Sequence, residues 1–139
     1  MRKDMVEEIT KTIAQKWLKQ ALHDLAMAEK NVEISGYDVA AFLAHQSVEK
    51  LLKAVFILRG KKVPKTHYID ELAKELKLEN TIINSLADLT VDYMFSRYPD
   101  VSENVPYEEY DKETAIEKVQ IAKKLFELLK KEYKPIMEE

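Results

Sequence analysis

"FLAHQSVEKLLKAVF", Phe42 to Phe56, is an apolar helical repeat with a polar string, His45, Gln46, Glu49, Lys50 and Lys53, running through it. Advanced by about 100° per residue, Ala40, Ala44, Val48, Leu51, Leu52, Val55 and Leu58 gather on one broad side, and Phe42, Gln46, Glu49 and Lys53 on the other. His45 and Lys50 flank that second side, and Phe56 and Ile57 extend it with apolar residues. A helix apolar nearly all round is central to its fold, so the string meets either water or a lined groove. Periodicity leaves both readings open. Glu49 and Lys53 in i,i+4 order support an exposed helix by only a few tenths of a kcal/mol, whereas the apolar residues around them favour a cleft, a partner subunit or a ligand.

Outward from this stretch, almost nothing interrupts a helix. The chain has 2 glycines and 4 prolines in 139 residues. Gly36 follows a helical run from about Val6 to Glu33, Gly60 follows one from about Tyr37 to Arg59, and each is placed to take a left-handed cap. Pro64, Pro99, Pro106 and Pro135 mark segments where the helical period lapses. Ile9, Ile13, Trp17, Ala21, Leu25, Ala28 and Val32 recur on one face of the first run, which at ~1.5 Å per residue is about 40 Å long. The last run, about Lys112 to Tyr133, repeats the pattern with Ile116, Val119, Ala122, Phe126 and Leu129, and Asp111 is its N-cap. Between them, Tyr68 to Lys77 is a short helix begun by Thr66 and Asn80 to about Tyr93 another, before the irregular connection Phe95 to Tyr110. The class is all-α, and the simplest solution is one domain, residues 1–139, folded as an antiparallel bundle.

Composition narrows the function classes. With 22 basic and 25 acidic residues the net charge is −3, so any nucleic-acid surface is local rather than global. The absence of cysteine removes disulfides and thiolate metal sites, and no signal-like or long apolar segment marks either end, which together point to the cytoplasm. A 34% charged fraction with few glycines fits a thermophilic source. The three histidines lack metal-ligand spacing, and there is no Gly-rich phosphate loop, nucleophile elbow or zinc-deaminase pattern, so no metal, cofactor or familiar catalytic motif is assigned. His45 and His67 each have an ordinary structural reading, as a core or surface residue and as a neighbour of the Thr66 turn. In "DYMFSRYPD", Asp92 to Asp100, Arg97 stands among Tyr93, Phe95 and Tyr98, a composition suited to phosphate and base recognition but also to simple stacking or pairing with Asp100.

Three stretches together, "WLKQALHDLAMAEK" (Trp17 to Lys30), "GYDVAAFLAHQSVEKLLKAVFILRGKKVPKTHYIDELAKEL" (Gly36 to Leu76) and "RYPD" (Arg97 to Asp100), resemble the HEPN domain, the higher eukaryotes and prokaryotes nucleotide-binding domain. The resemblance implies an up-and-down antiparallel helical bundle of four to five helices. It also implies a homodimer and a toxin–antitoxin-like pairing with a minimal nucleotidyltransferase. Many members are metal-independent endoribonucleases whose motif is an arginine, four to six residues, and a histidine. Here Ser102, Glu103 and Asn104 stand at that spacing after Arg97, so the motif is absent and no catalytic residue is assigned. The leading expectation is therefore a binding module for a nucleotide or RNA phosphate, with Asp24, His45, Glu49, Lys53, His67, Tyr93 and Arg97 lining a groove. Lys53 and Arg97 would hold phosphate, Tyr93 would stack on a base, Asp24 and Glu49 would orient the basic groups, and the histidines would donate hydrogen bonds. The alternatives are a ribonuclease using Arg97 with His45 or His67, and an assembly module closing over Phe42, Phe56 and Ile57.

Overall fold

The computed structural model describes residues 2–97, 100 and 103–137, with the side chains of residue 2 and residues 94–97 outside that description. Its helices are α1 (Arg2–Glu33), α2 (Tyr37–Leu58), α3 (Ile69–Glu75), α4 (Asn80–Arg97), α5 (Pro106–Glu109) and α6 (Lys112–Met137), with no strand among the described residues. The four long ones make an up-and-down bundle, while α3 is a seven-residue side helix and α5 a single turn opened by Pro106. α2 is the centre and packs on α1, α3, α4 and α6. Its Ala44, Val48, Leu51, Leu52 and Val55 are completely buried, as the apolar side of its repeat demands.

The helix ends explain the tight turns. At the end of α1 the Gly36 N–H reaches Asn31 O at 2.7 Å and the Ser35 N–H reaches Val32 O at 3.3 Å, a Schellman motif. The left-handed residue there is Ser35 (φ 65°), not Gly36 (φ −87°), which corrects the expectation that both glycines take that conformation. A Cβ at 36 would lie 2.8 Å from Asn31 Oδ1, so any larger residue there displaces the Asn31 side chain. Gly60 does take the left-handed cap of α2 (φ 68°), with Lys61 N–H bonded to Phe56 O at 2.9 Å. Asp111 caps α6 by accepting the Thr114 N–H at 2.8 Å.

Further expectations change. Pro135 lies inside α6, in its last turn, where it gives up the one N–H bond back to the carbonyl four residues before it and the helix closes two residues later. Thr66 accepts the Tyr68 N–H at 3.1 Å, so it turns the chain just ahead of α3 instead of capping it. The apolar face of α1 is buried only from Ala14 onward, and Ile9 and Ile13 are exposed. Gln15 donates to Ile136 O at 2.6 Å near the end of α6, so the first three turns of α1 run on past its neighbours. Of the residues expected at an assembly seam on α2, Phe56 is buried inside the bundle, 2% exposed, while Phe42, stacked on Tyr93 at 6.0 Å, and Ile57 are half-buried.

Candidate functional site

The polar string of α2 faces protein on two sides, and each side has its own cluster. On the α1 side Asp24, 4% exposed, accepts Lys50 Nζ at 2.7 Å and Gln46 Nε2 at 3.1 Å through one oxygen, and Gln20 Nε2 at 2.9 Å through the other. Burial pushes the Asp24 carboxyl upward, but the Lys50 ammonium and two amides outweigh it and hold it below the usual aspartate range.

On the other side Glu49 is the hub. Lys53 Nζ donates to its Oε2 at 2.8 Å, and His67 Nδ1 lies 3.0 and 3.2 Å from its two oxygens. Burial pushes Glu49 upward too, and again the two donors outweigh it and hold it low. Lys53 is buried, 6.0 Å from the Trp17 ring centre. His67, held in the turn that Thr66 makes, is 61% exposed and lies face to face with Tyr93 at 5.4 Å. A carboxylate on Nδ1 fixes a proton there and leaves Nε2 turned away from Glu49, an acceptor in the neutral ring and a donor in the imidazolium.

His45 completes this side from beneath. Its ring is fully buried, 4.8 Å from the Tyr93 ring, and neither nitrogen has a hydrogen-bond partner among the described residues. The His67 backbone lies beside it without reaching hydrogen-bond geometry. Burial drives its pKa down to about 4, against the opposing pull of the Glu49 charge, so the ring is neutral at physiological pH. It cannot carry a proton to a ligand outside. Arg97 ends α4 one turn beyond Tyr93, and its side chain lies outside the described residues.

Thus His45, Glu49, Lys53, His67 and Tyr93 are brought together, and Asp24 is set apart on the α1 flank of α2. Lys50 was in the string but not in the expected set. Its signal was Asp24 itself, on the buried face of α1 between Ala21 and Ala28, where a carboxylate requires a cation opposite. A third cluster had no sequence signal: buried Asp92 accepts the Tyr110 hydroxyl at 2.6 Å and lies 3.1 Å from Lys118 Nζ, tying α4 to α6. Among the described residues no group of His, Asp and Glu is placed to hold a metal, and no helix is long and apolar enough to cross a membrane.

Residues 14–133 match the sequence model of the HEPN domain. A Methanocaldococcus jannaschii protein named "Putative toxin MJ1304" is 28% identical over 131 residues, covering 84% of this chain and 86% of its own length. TT1696 from Thermus thermophilus, solved by crystallography, superposes with a TM-score of 0.79 at 27% identity, covering 86% of this chain and 97% of that one. The crystal structure of ST0689, described as an archaeal HEPN homologue, gives 0.73 at 31% identity over the same shares.

Proposed function

Because the chain belongs to the HEPN domain family, we propose that it is a homodimeric, single-domain, cytoplasmic module that binds RNA or nucleotide phosphate beside His67, Tyr93 and Arg97. In this reading it is one half of a toxin–antitoxin-like pair with a minimal nucleotidyltransferase, and the name of the Methanocaldococcus jannaschii relative supports the toxin side. The observation that carries it is His67, a mostly exposed imidazole oriented by Glu49 and laid against a tyrosine ring. Such a group offers, as its imidazolium, an N–H edge to a phosphate and a ring face to a base. Lys53 contributes less than its charge suggests, because it is buried and already paired with Glu49.

The test is fluorescence anisotropy with a labelled single-stranded RNA and competition by ATP. His67→Ala is expected to weaken binding by roughly tenfold or more, the scale of one hydrogen bond to a charged group. Its fold should be unchanged because the side chain is exposed, and binding should fall steeply with salt if phosphates are held. Equal affinity in natural, His67→Ala and Arg97→Ala chains would sink the proposal.

The same histidine favours one second reading, a ribonuclease in which His67 Nε2 accepts the 2′-hydroxyl proton. His45 is unsuited to that role by its burial and low pKa. Cleavage of single-stranded RNA in EDTA, abolished by His67→Ala and retained in His45→Leu, is the expected result of that reading. Cleavage indifferent to His67 rejects it.

A further inference from the structure

Two apolar features left uncovered among the described residues match each other. The first is the start of α1, where Met5, Val6, Ile9 and Ile13 are all exposed, Ile9 at 58%, on turns that run past the rest of the bundle. Asp4 and Glu8 flank Met5 and Ile9 there, and neither carboxylate has an ion pair among the described residues. The second is a groove of about 350 Å³ between α4 and α6. Leu86 and Leu125 form its floor, Ile82, Ile121 and the 52% exposed Leu128 its walls, and Lys124, likewise without an ion pair among the described residues, its rim.

We infer that the first three turns of α1 dock into the α4/α6 groove of a second copy of this chain, each copy receiving the other's arm. This deepens the homodimer reading above and rests on it. Length fits: Met5 to Ile13 spans about 12 Å of helix, and Ile121 to Leu128 about 10 Å. Charge fits as well, with two carboxylates on the arm meeting the Lys124 ammonium on the rim. The arm cannot fill its own groove, because α1 is one continuous helix packed on α2 and α6 and would have to break to turn back. The arm and the C-terminal end of α6 share one end of the bundle, through Gln15 and Ile136. A twofold axis that overlaps the two copies side by side at these ends lays each arm along the other's α4 and α6.

A chain without cysteine makes the test direct. Ile9→Cys protein is mixed with Leu128→Cys protein, oxidised, and read on a non-reducing gel beside each variant alone, while sedimentation of the natural chain gives its mass. The expected result is a dimer in sedimentation and a disulfide-linked pair in the mixture only. A crosslink formed by Ile9→Cys alone places arm against arm and overturns the inference. A dimer in sedimentation with no crosslink in the mixture also overturns it while leaving the dimer reading intact, and a monomer at micromolar concentration overturns both. Glu8→Lys is expected to raise the dimer dissociation constant several-fold and Lys124→Glu to restore it in the double variant, and failure of that rescue rejects the charge pairing.

Discussion

His45→Leu is expected to be more stable than the natural chain at neutral pH, and increasingly so as the solution is acidified. Both ring nitrogens of His45 are buried without partners among the described residues, and leaving such a group unsatisfied costs about 1–3 kcal/mol. Leucine fills a similar volume with nothing to satisfy. It forfeits the ring contact with Tyr93, worth about 0.5–1.5 kcal/mol, so the net gain near pH 7.5 is about 1 kcal/mol. Acid enlarges it. The folded-state pKa is depressed from 6.5 to about 4, so between those values the unfolded chain binds a proton that the folded one refuses, and stability falls as pH falls through that window. The whole decline is about 3 kcal/mol, most of it spent by pH 5, and it levels off below the folded value. Glu49 and Asp24 also lose stability in acid, but with their pKa values held low they do so at lower pH. Asp92, whose carboxyl burial pushes up, works in the opposite direction: protonation favours the folded state and stability falls as pH rises through its window. Urea melts of both chains at pH 7.5, 5.5 and 4.5 decide the matter. Parallel pH curves for the two would remove His45 as the source of the acid sensitivity.

The bundle was legible because it rests on periodicity. Ala44, Val48, Leu51 and Val55 repeat at helical spacing and are all buried, and Asp111 sits at an N-cap whose bond the structure contains. Where periodicity misled, the cause was length. Ile9 and Ile13 continue the apolar stripe of α1 as regularly as Ala21 and Ala28 do, but among the described residues no neighbouring helix covers them. A single chain's pattern records an apolar face without saying which molecule meets it. Pro135 misled for a local reason, since the helix closes two residues beyond it and the one bond it removes interrupts nothing further. The candidate site was half legible. The i,i+4 pair of Glu49 and Lys53 was visible in the sequence, but the exposed-helix reading of it failed because the His67 turn folds over Glu49 and buries the pair. No spacing rule connects positions 49 and 67, nor 92 with 110 and 118, because those contacts depend on where loops return. The difference between the two histidines was likewise invisible. One is buried and proton-refusing, the other exposed and carboxylate-held, and only burial tells them apart.

Lys50→Met is expected to destabilise the fold by about 3 kcal/mol at neutral pH, more than its partly exposed position suggests. The loss is borne by Asp24, not by the lysine. Asp24 stands on the buried face of α1, and three donors hold its charge, of which Lys50 alone is a cation. Methionine keeps the apolar stem and the volume but leaves a carboxylate facing two neutral amides, and stranding one member of a buried pair costs about 3–5 kcal/mol. The two glutamine bonds that survive place this case at the low end. Acid dependence identifies the mechanism. In the natural chain the Asp24 pKa is depressed, so its contribution is present above 3.8 and lost as pH falls through the folded value. In the variant burial is no longer outweighed, the carboxyl takes up its proton at higher pH, and the deficit shrinks toward pH 4. Replacing both residues, Asp24→Leu with Lys50→Met, removes the stranded charge and is expected to recover most of the loss. Chemical unfolding of the two single variants and the double at pH 7 and pH 4 completes the cycle. A Lys50→Met cost below 1 kcal/mol at both pH values would show that the pair does not clamp α1 to α2, and the polar string on that flank would then be a solvated face after all.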